Sequence, residues 1–336
     1  MNWAEVLGEL TEHRDLPGGT AHDAMAEILA GDATSAQIAG FAIALRMKGE
    51  TVDELTGLLT AMVDAADPVH LDPSIDAIDT CGTGGDRSGT INISSIAAFV
   101  VAGAGVPVCK HGNRAASSQC GSADVYEALG VPIDLDPEAV ARAVTDVGMG
   151  FCFAQRFHAA LRHAGPTRKE LGVRTAFNFL GPMANPARVR RQVVGVSDPR
   201  MADRMLRVLV ANGSVRPLVV YGHDGLDELT TTTTSTLMEW VDGEVRTHEV
   251  DAAAFGLARA ESSDLVGGDA STNAAAARRV LAGDAGPHRD IVVLNAAAGL
   301  LAGGRVDSLG RGVELAQASI DDGRAAAVLE RLQAVH

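Results

Sequence analysis

The chain has 336 residues, of which 46% are apolar and 21% charged, an ordinary globular composition that excludes intrinsic disorder. Its formal net charge of −15 argues against a general nucleic-acid-binding role, which needs a basic surface. The same charge means that an anionic substrate would need local cations or a metal to overcome the overall field.

Met1 opens directly into MNWAEVLGELTEHRD, with no basic-then-apolar leader. The first seventy residues carry apolar side chains at helical spacing in TAHDAMAEILAG, TSAQIAGFAIALRMKG and TVDELTGLLTAMVDAA. Thr34 or Ser35 and Thr51 suit helix N-caps, and Gly31 and Gly49 suit helix ends. The period then changes to that of a strand in SIDAIDT (74–80). From there strands and helices alternate. A helix begins near Ser94, VPVCK (106–110) reads as a strand, and SADVYEALG reads as a helix. Asp136 and Pro137 cap the next helix, and GFCFA (150–154) reads as a short buried strand. This rhythm predicts a mainly parallel sheet covered by helices.

The segment 157–187, helix-like and rich in breakers, interrupts the rhythm. It resumes with RQVVGVSDP, a helix over 200–211 and a strand in PLVVYG (217–222). Asp242-Gly243 predicts the turn of a hairpin. IVVLNAAAGLLAGG reads as a buried strand-to-helix step in an otherwise helical C-terminal third. The longest apolar run, 97–109, is too short and too broken by glycine to span a bilayer, and Cys81, Cys109, Cys120 and Cys152 form neither a C-x-x-C pair nor a zinc pattern. A soluble, cytoplasmic protein with buried thiols is expected.

Three turns carry the chemistry. DTCGTGGD (79–86) joins a strand to a helix, where glycines bring backbone N–H groups close to a ligand and the helix start adds free donors. Thr90, Asn92, Ser94 and Ser95 add side-chain donors, although a plain strand-to-helix turn with a serine cap has the same look. KHGNRAASS (110–118) follows the next strand and should emerge at the same sheet edge. Its Lys110 and Arg114 bring charge, and Gly112, Asn113, Ser117 and Ser118 bring close approach and hydrogen bonds. Two such loops on adjacent strands predict a phosphate-rich ligand. GHDGLDELT (222–230) places Asp227 beside Glu228 after another strand, a pair that suits Mg²⁺ bridging a pyrophosphate to an acidic protein. In PTRKELGVRTAFN (166–178), Arg168 and Arg174 are candidates for a substrate carboxylate or for plain surface positions. His111 and His158 are candidates for polar contacts or for structural roles.

In this order, GTGGD, NISS, KHGNRAASS, GVRTAFNFLGPMANP and GLDE resemble the anthranilate phosphoribosyltransferases of tryptophan biosynthesis, over nearly the whole chain. The resemblance implies a discontinuous helical domain, residues 1–70 with 160–190. It also implies an α/β domain, residues 71–159 and 191–336, with the active site in the cleft and homodimerisation through the helical domain. It assigns phosphoribosyl pyrophosphate to Gly82, Gly85, Asp86, Thr90, Asn92, Ile93, Ser94, Ser95, Lys110, His111, Gly112, Asn113, Arg114, Ala115, Ala116, Ser117, Ser118 and Ser122. Gly82, Asn113 and Arg168 would contact anthranilate, with His111 beside them, and Ser94, Asp227 and Glu228 would hold two Mg²⁺ ions. Ala159 stands where the family usually has proline after His158, Cys81 where it usually has a bulkier residue, and GPMANP where GPLTNP is commoner. The pyrimidine-nucleoside phosphorylases share this architecture, but the GLDE pair and the Asn-Arg after Lys-His-Gly favour a magnesium pyrophosphate substrate. A catalytically silent relative and a nicotinamide-dependent Rossmann enzyme fit less well, the first because the motifs are intact and the second because its glycine spacing is missing.

Overall fold

The computed structural model describes residues 1–115 and 119–335. The N-terminal third begins with four helices, Trp3–Thr11, Gly18–Ala30, Ser35–Lys48 and Val52–Asp64. Thr34 and Thr51 each close a capping box, with Gln37 and Glu54 reaching back, so the third and fourth helices start where the sequence places them. Gly31 ends the second helix in the left-handed region at φ 83°.

The strands are β1 (Ile78–Gly82), β2 (Val108–Gly112), β3 (Met149–Phe153), β4 (Arg191–Gly195), β5 (Arg216–Gly222), β6 (Thr234–Val241) and β7 (Glu244–Asp251). Their order in the sheet is β3-β2-β1-β4-β5-β6-β7. Strands β3 to β5 in that order run parallel, and β6 and β7 add an antiparallel hairpin at one edge. Asp242 at φ 54° and Gly243 at φ 85° make the two-residue turn that the sequence predicts. Because β1, β2 and β5 are parallel, the loops leaving them open at one rim of the sheet.

The helix Ile93–Gly103 carries apolar residues all round because it is covered on every side. A side chain on Gly103 would lie 2.7 Å from the Ala325 amide, so the C-terminal helices pack directly against its backbone. A core of this helix, β1, β2 and the C-terminal helices fills one face of the sheet. A second core joins the four N-terminal helices to Ala164, to Ala176–Ala184, and to Val194, Val196 and Val219 on the other side.

Two sequence expectations are corrected. IVVLNAAAGLLAGG contains no strand: Pro287–Ala302 is helical throughout, and Ile291 to Ala302 are all buried. A helix buried on all sides loses the 3.6-residue pattern, and its β-branched start mimics a strand. The strand in SIDAIDT begins only at Ile78, because Asp72 accepts from Ser74 in a turn and Asp76 pairs outward with Arg191.

Candidate active site

The glycine turn leaves β1 and folds beneath the loop that follows β5. Gly84 and Gly85 take φ 64° and 73°, a conformation that side chains resist. A side chain on Gly82 would start 2.4 Å from Asp227 Oδ2, and one on Gly195 would start 1.6 Å from the Asp227 carbonyl. The turn and loop therefore touch only because both positions are glycine. The Gly84 amide donates to Asp227 Oδ2 at 2.6 Å. Arg174 braces the outer side, donating to the Gly84 carbonyl and, at 2.8 Å, to Ser197 Oγ, which itself donates to Gly84 O. It lies in the loop between the helices Gly165–Leu171 and Ala176–Met183, not within a helix as expected.

Three carboxylates gather here. Burial, and after it the charge of Asp86, pushes Asp227 up to about 6. Burial and Asp227 push Glu228 up to about 8, opposed by Lys110 and by Ser94. The Ser94 amide, in the first turn of Ile93–Gly103, donates to Glu228 Oε1 at 3.1 Å. Lys110 is 1% exposed, on β2 rather than in a loop, and donates to the Thr80 carbonyl. Beneath it lies Asp79, fully buried, which accepts from the His111 amide at 3.0 Å and from Asn185 Nδ2 at 2.9 Å.

The other candidate residues are spread along the same rim. Thr90 bridges to Val266. Asn92 donates to the Cys120 carbonyl at 3.1 Å and accepts from Asn273 at 2.8 Å. Ile93 is buried, leaving its backbone to act. Ser95 Oγ donates to Ser122 Oγ at 2.9 Å, joining two helix starts. Gly112 lies where a side chain would meet Phe151 and Ser122, both at 2.9 Å. Asn113 is exposed. Asp86 accepts from Ser88 Oγ at 2.8 Å. Arg114, expected to offer charge to a ligand, is engaged by Asp124 and Glu127, each at 2.9 Å, while the Ala115 amide donates to Asp124. Ala116, Ser117 and Ser118 lie outside the described residues.

The Arg168 guanidinium stacks over the Phe177 ring at 5.2 Å and makes no hydrogen bond or ion pair among the described residues. Burial alone lowers its proton affinity. The rings of His111 and His158 lie 5.1 Å apart. Burial, His158 and Lys110 hold His111 well below the usual imidazole range, and its Nε2 has no partner. His158, also held down by burial, bonds the Ala184 carbonyl at 2.8 Å, so its position is fixed without a proline at 159.

The chain matches the glycosyl transferase family on two models, a helical bundle domain over residues 4–66 and an a/b domain over residues 74–326. It is 53% identical to the anthranilate phosphoribosyltransferase of Rhodococcus jostii, spanning 98% of this chain and 92% of that one. The enzyme of that name from Moorella thermoacetica is 50% identical over 98% and 96%. The chain belongs to the anthranilate phosphoribosyltransferase family. The crystal structure of the Thermus thermophilus member superposes with a TM-score of 0.93 at 41% identity, covering 98% of both chains. The Saccharomyces cerevisiae member, in complex with PRPP and Mg, superposes at 0.91 with 28% identity over 99% and 97%.

Asp227 and Glu228 fit the magnesium seen with that relative. Two adjacent carboxylates with raised proton affinity form an oxygen donor set that a hard cation would relieve of its repulsion. Mg²⁺ characteristically takes one or two carboxylates, and phosphate oxygens and water would complete its shell. Asp79, Asn185 and Ser197 were not found from sequence. Each acts by supporting another residue, and no local motif marks such a role.

Proposed function

We propose that the protein transfers the phosphoribosyl group of 5-phosphoribosyl 1-pyrophosphate to the amine of anthranilate, giving N-(5-phosphoribosyl)anthranilate and pyrophosphate, a step of tryptophan biosynthesis. The observation that carries this reading is the meeting of the glycine turn with Asp227 and Glu228 at one rim of the sheet. Amide donors and a carboxylate pair together suit a diphosphate with its cation.

The amine nitrogen forms a bond to the anomeric carbon as the bond from that carbon to the pyrophosphate oxygen breaks, and the nitrogen then loses a proton. The leaving group is good and the aryl amine weak, so the transition state is loose and oxocarbenium-like. The protein's task is chiefly positioning and electrostatics. Ser94, Asp227 and Glu228 would hold two Mg²⁺ ions, which supply charge neutralisation on the pyrophosphate. The amides of the glycine turn and of the helix starts at Asn92–Ser95 and Ser122, together with the KHGNRAASS segment, would hold ribose and phosphates. Arg168, without an anionic partner, would take the anthranilate carboxylate, with Gly82 and Asn113 against the ring. His111, kept neutral, has one nitrogen left for a polar contact. The relative solved in complex with 4-fluoroanthranilate supports an aromatic site of this kind.

The same reading divides the chain into a helical domain, residues 1–70 with 160–190, and an α/β domain of the remainder. It makes the protein a cytoplasmic homodimer joined through the helical domain. No helix among the described residues is long and apolar enough to cross a membrane.

Mixing the protein with anthranilate, phosphoribosyl pyrophosphate and Mg²⁺ should give Mg²⁺-dependent loss of anthranilate fluorescence. Absence of turnover, with phosphorolysis of thymidine instead, would transfer the protein to the nucleoside phosphorylases.

A further inference from the structure

The opposite rim of the sheet carries an arginine crevice that the reaction does not use. β4 starts at Arg191 and β5 at Arg216, so these residues lie at the far ends of the strands whose other ends approach the carboxylates. Beside them is a cavity of about 750 Å³ lined by Arg216, Arg305, Arg311, Asp307, Glu314 and Leu315. Arg311 is paired with Glu314. Arg191 donates to Asp76 at 2.5 Å and to the Ala302 carbonyl at 3.0 Å. The Arg216 and Arg305 side chains make no hydrogen bond or ion pair among the described residues, although the chain has acidic side chains in excess. The Nη1 atoms of Arg191 and Arg216 lie 3.6 and 3.8 Å from the point where a side chain on Gly304 would begin. Two guanidinium groups thus face one gap, held there by strand ends and not by mutual attraction.

We propose that this crevice binds a phosphate group, either free or as a monoester. Planar guanidinium forks grip tetrahedral oxyanions through paired N–H donors. Arg216 from β5 and Arg305 from the turn after Pro287–Ala302 present such donors from two segments, with Arg191 fixed beside them by Asp76 and the Ala302 carbonyl. Asp307 and Glu314, which also line the cavity, disfavour large, highly charged polyanions and favour a single phosphate. The crevice is of small-ligand size and open to solvent.

The test compares the full chain with Arg216→Gln/Arg305→Gln. Neither arginine belongs to the active site, so the variant should melt cooperatively and keep wild-type turnover. Inorganic phosphate and glycerol 3-phosphate are titrated separately while the melting temperature is followed. The wild type should be stabilised with a midpoint at least tenfold lower than that of the variant. A difference with inorganic phosphate alone identifies the free ion as the ligand, and one with both admits monoesters. Crystals soaked in tungstate should show anomalous density between Arg216 and Arg305, and the single Arg305→Gln variant serves if the double variant does not fold. Equal midpoints in wild type and variant, or tungstate confined to the active-site rim, overturn the proposal.

Discussion

The Gly84 amide and Asp227 Oδ2, 143 residues apart in the chain, meet at 2.6 Å. This bond ties the turn after β1 to the loop after β5, so the glycine turn and the carboxylate pair form one unit. Gly82→Ala would place a methyl group against Asp227 Oδ2. The variant should fold but lose about 100-fold or more in kcat/KM for phosphoribosyl pyrophosphate, since roughly an ångström of misplacement has that effect. Wild-type kinetics would show that the close approach is dispensable.

Asp227→Asn with Glu228→Gln should abolish the magnesium dependence together with most of the activity. It should also stabilise the metal-free protein. Both carboxyls bind protons more tightly in the folded chain, about 6 against 3.8 for Asp227 and about 8 against 4.5 for Glu228. A raised carboxyl pKa stabilises the fold below it and removes that stability as pH rises through it. The metal-free wild type should therefore lose stability between about pH 4 and 8 from these two groups. The double variant should lack that component, with a melting temperature at pH 8 higher by a few degrees, about 2–4 °C per kcal/mol. A lower melting temperature without metal would contradict the repulsion between these carboxyls.

Arg168→Ala should raise the anthranilate KM with little change for phosphoribosyl pyrophosphate. A charged hydrogen bond of about 1.5–3 kcal/mol corresponds to roughly 10- to 150-fold. An unchanged anthranilate KM removes Arg168 from the aromatic site.

Arg174 should divide the kinetics the other way. Its guanidinium holds Gly84 O and Ser197 Oγ and is not free to meet a carboxylate. Arg174→Ala should raise the phosphoribosyl pyrophosphate KM and the Mg²⁺ requirement while leaving the anthranilate KM near wild type. Arg174→Lys should recover only part, because an ammonium cannot span both acceptors in the same plane.

Glu54 tests the N-terminal helices. Fully buried, it accepts from Lys48 Nζ at 2.9 Å, from the Leu16 amide at 2.9 Å and from the Thr51 amide at 2.8 Å. Glu54→Ala removes three bonds and leaves the Leu16 and Thr51 amides without that acceptor, while Lys48 keeps Asp15 at 2.6 Å, a loss of about 1–3 kcal/mol. Urea denaturation followed by circular dichroism should show it, and a loss below about 1 kcal/mol would mean that water replaces these bonds.

Much of this was legible locally. The capping boxes at Thr34 and Thr51, the hairpin turn at Asp242-Gly243 and the strand-glycine-helix step at 78–93 are written in neighbouring residues, because caps, turns and periodicity act over a few positions. The helix Pro287–Ala302 was misread for the opposite reason. Burial on every side erases the periodic signal, and burial is set by elements far away in sequence.

The candidate site divides along the same line. The sequence by itself determined which turns carry glycine, which loop carries adjacent carboxylates and which family the chain resembles, since these are properties of short segments. Only the tertiary structure decided that Lys110 is buried against Thr80, that Arg114 is engaged by Asp124 and Glu127, and that Arg168 stacks on Phe177 with no ion pair among the described residues while Arg174 holds Gly84. The reason is physical. A charge finds its partner through space, and the partners come from strands, helices and loops that only the folded chain brings together.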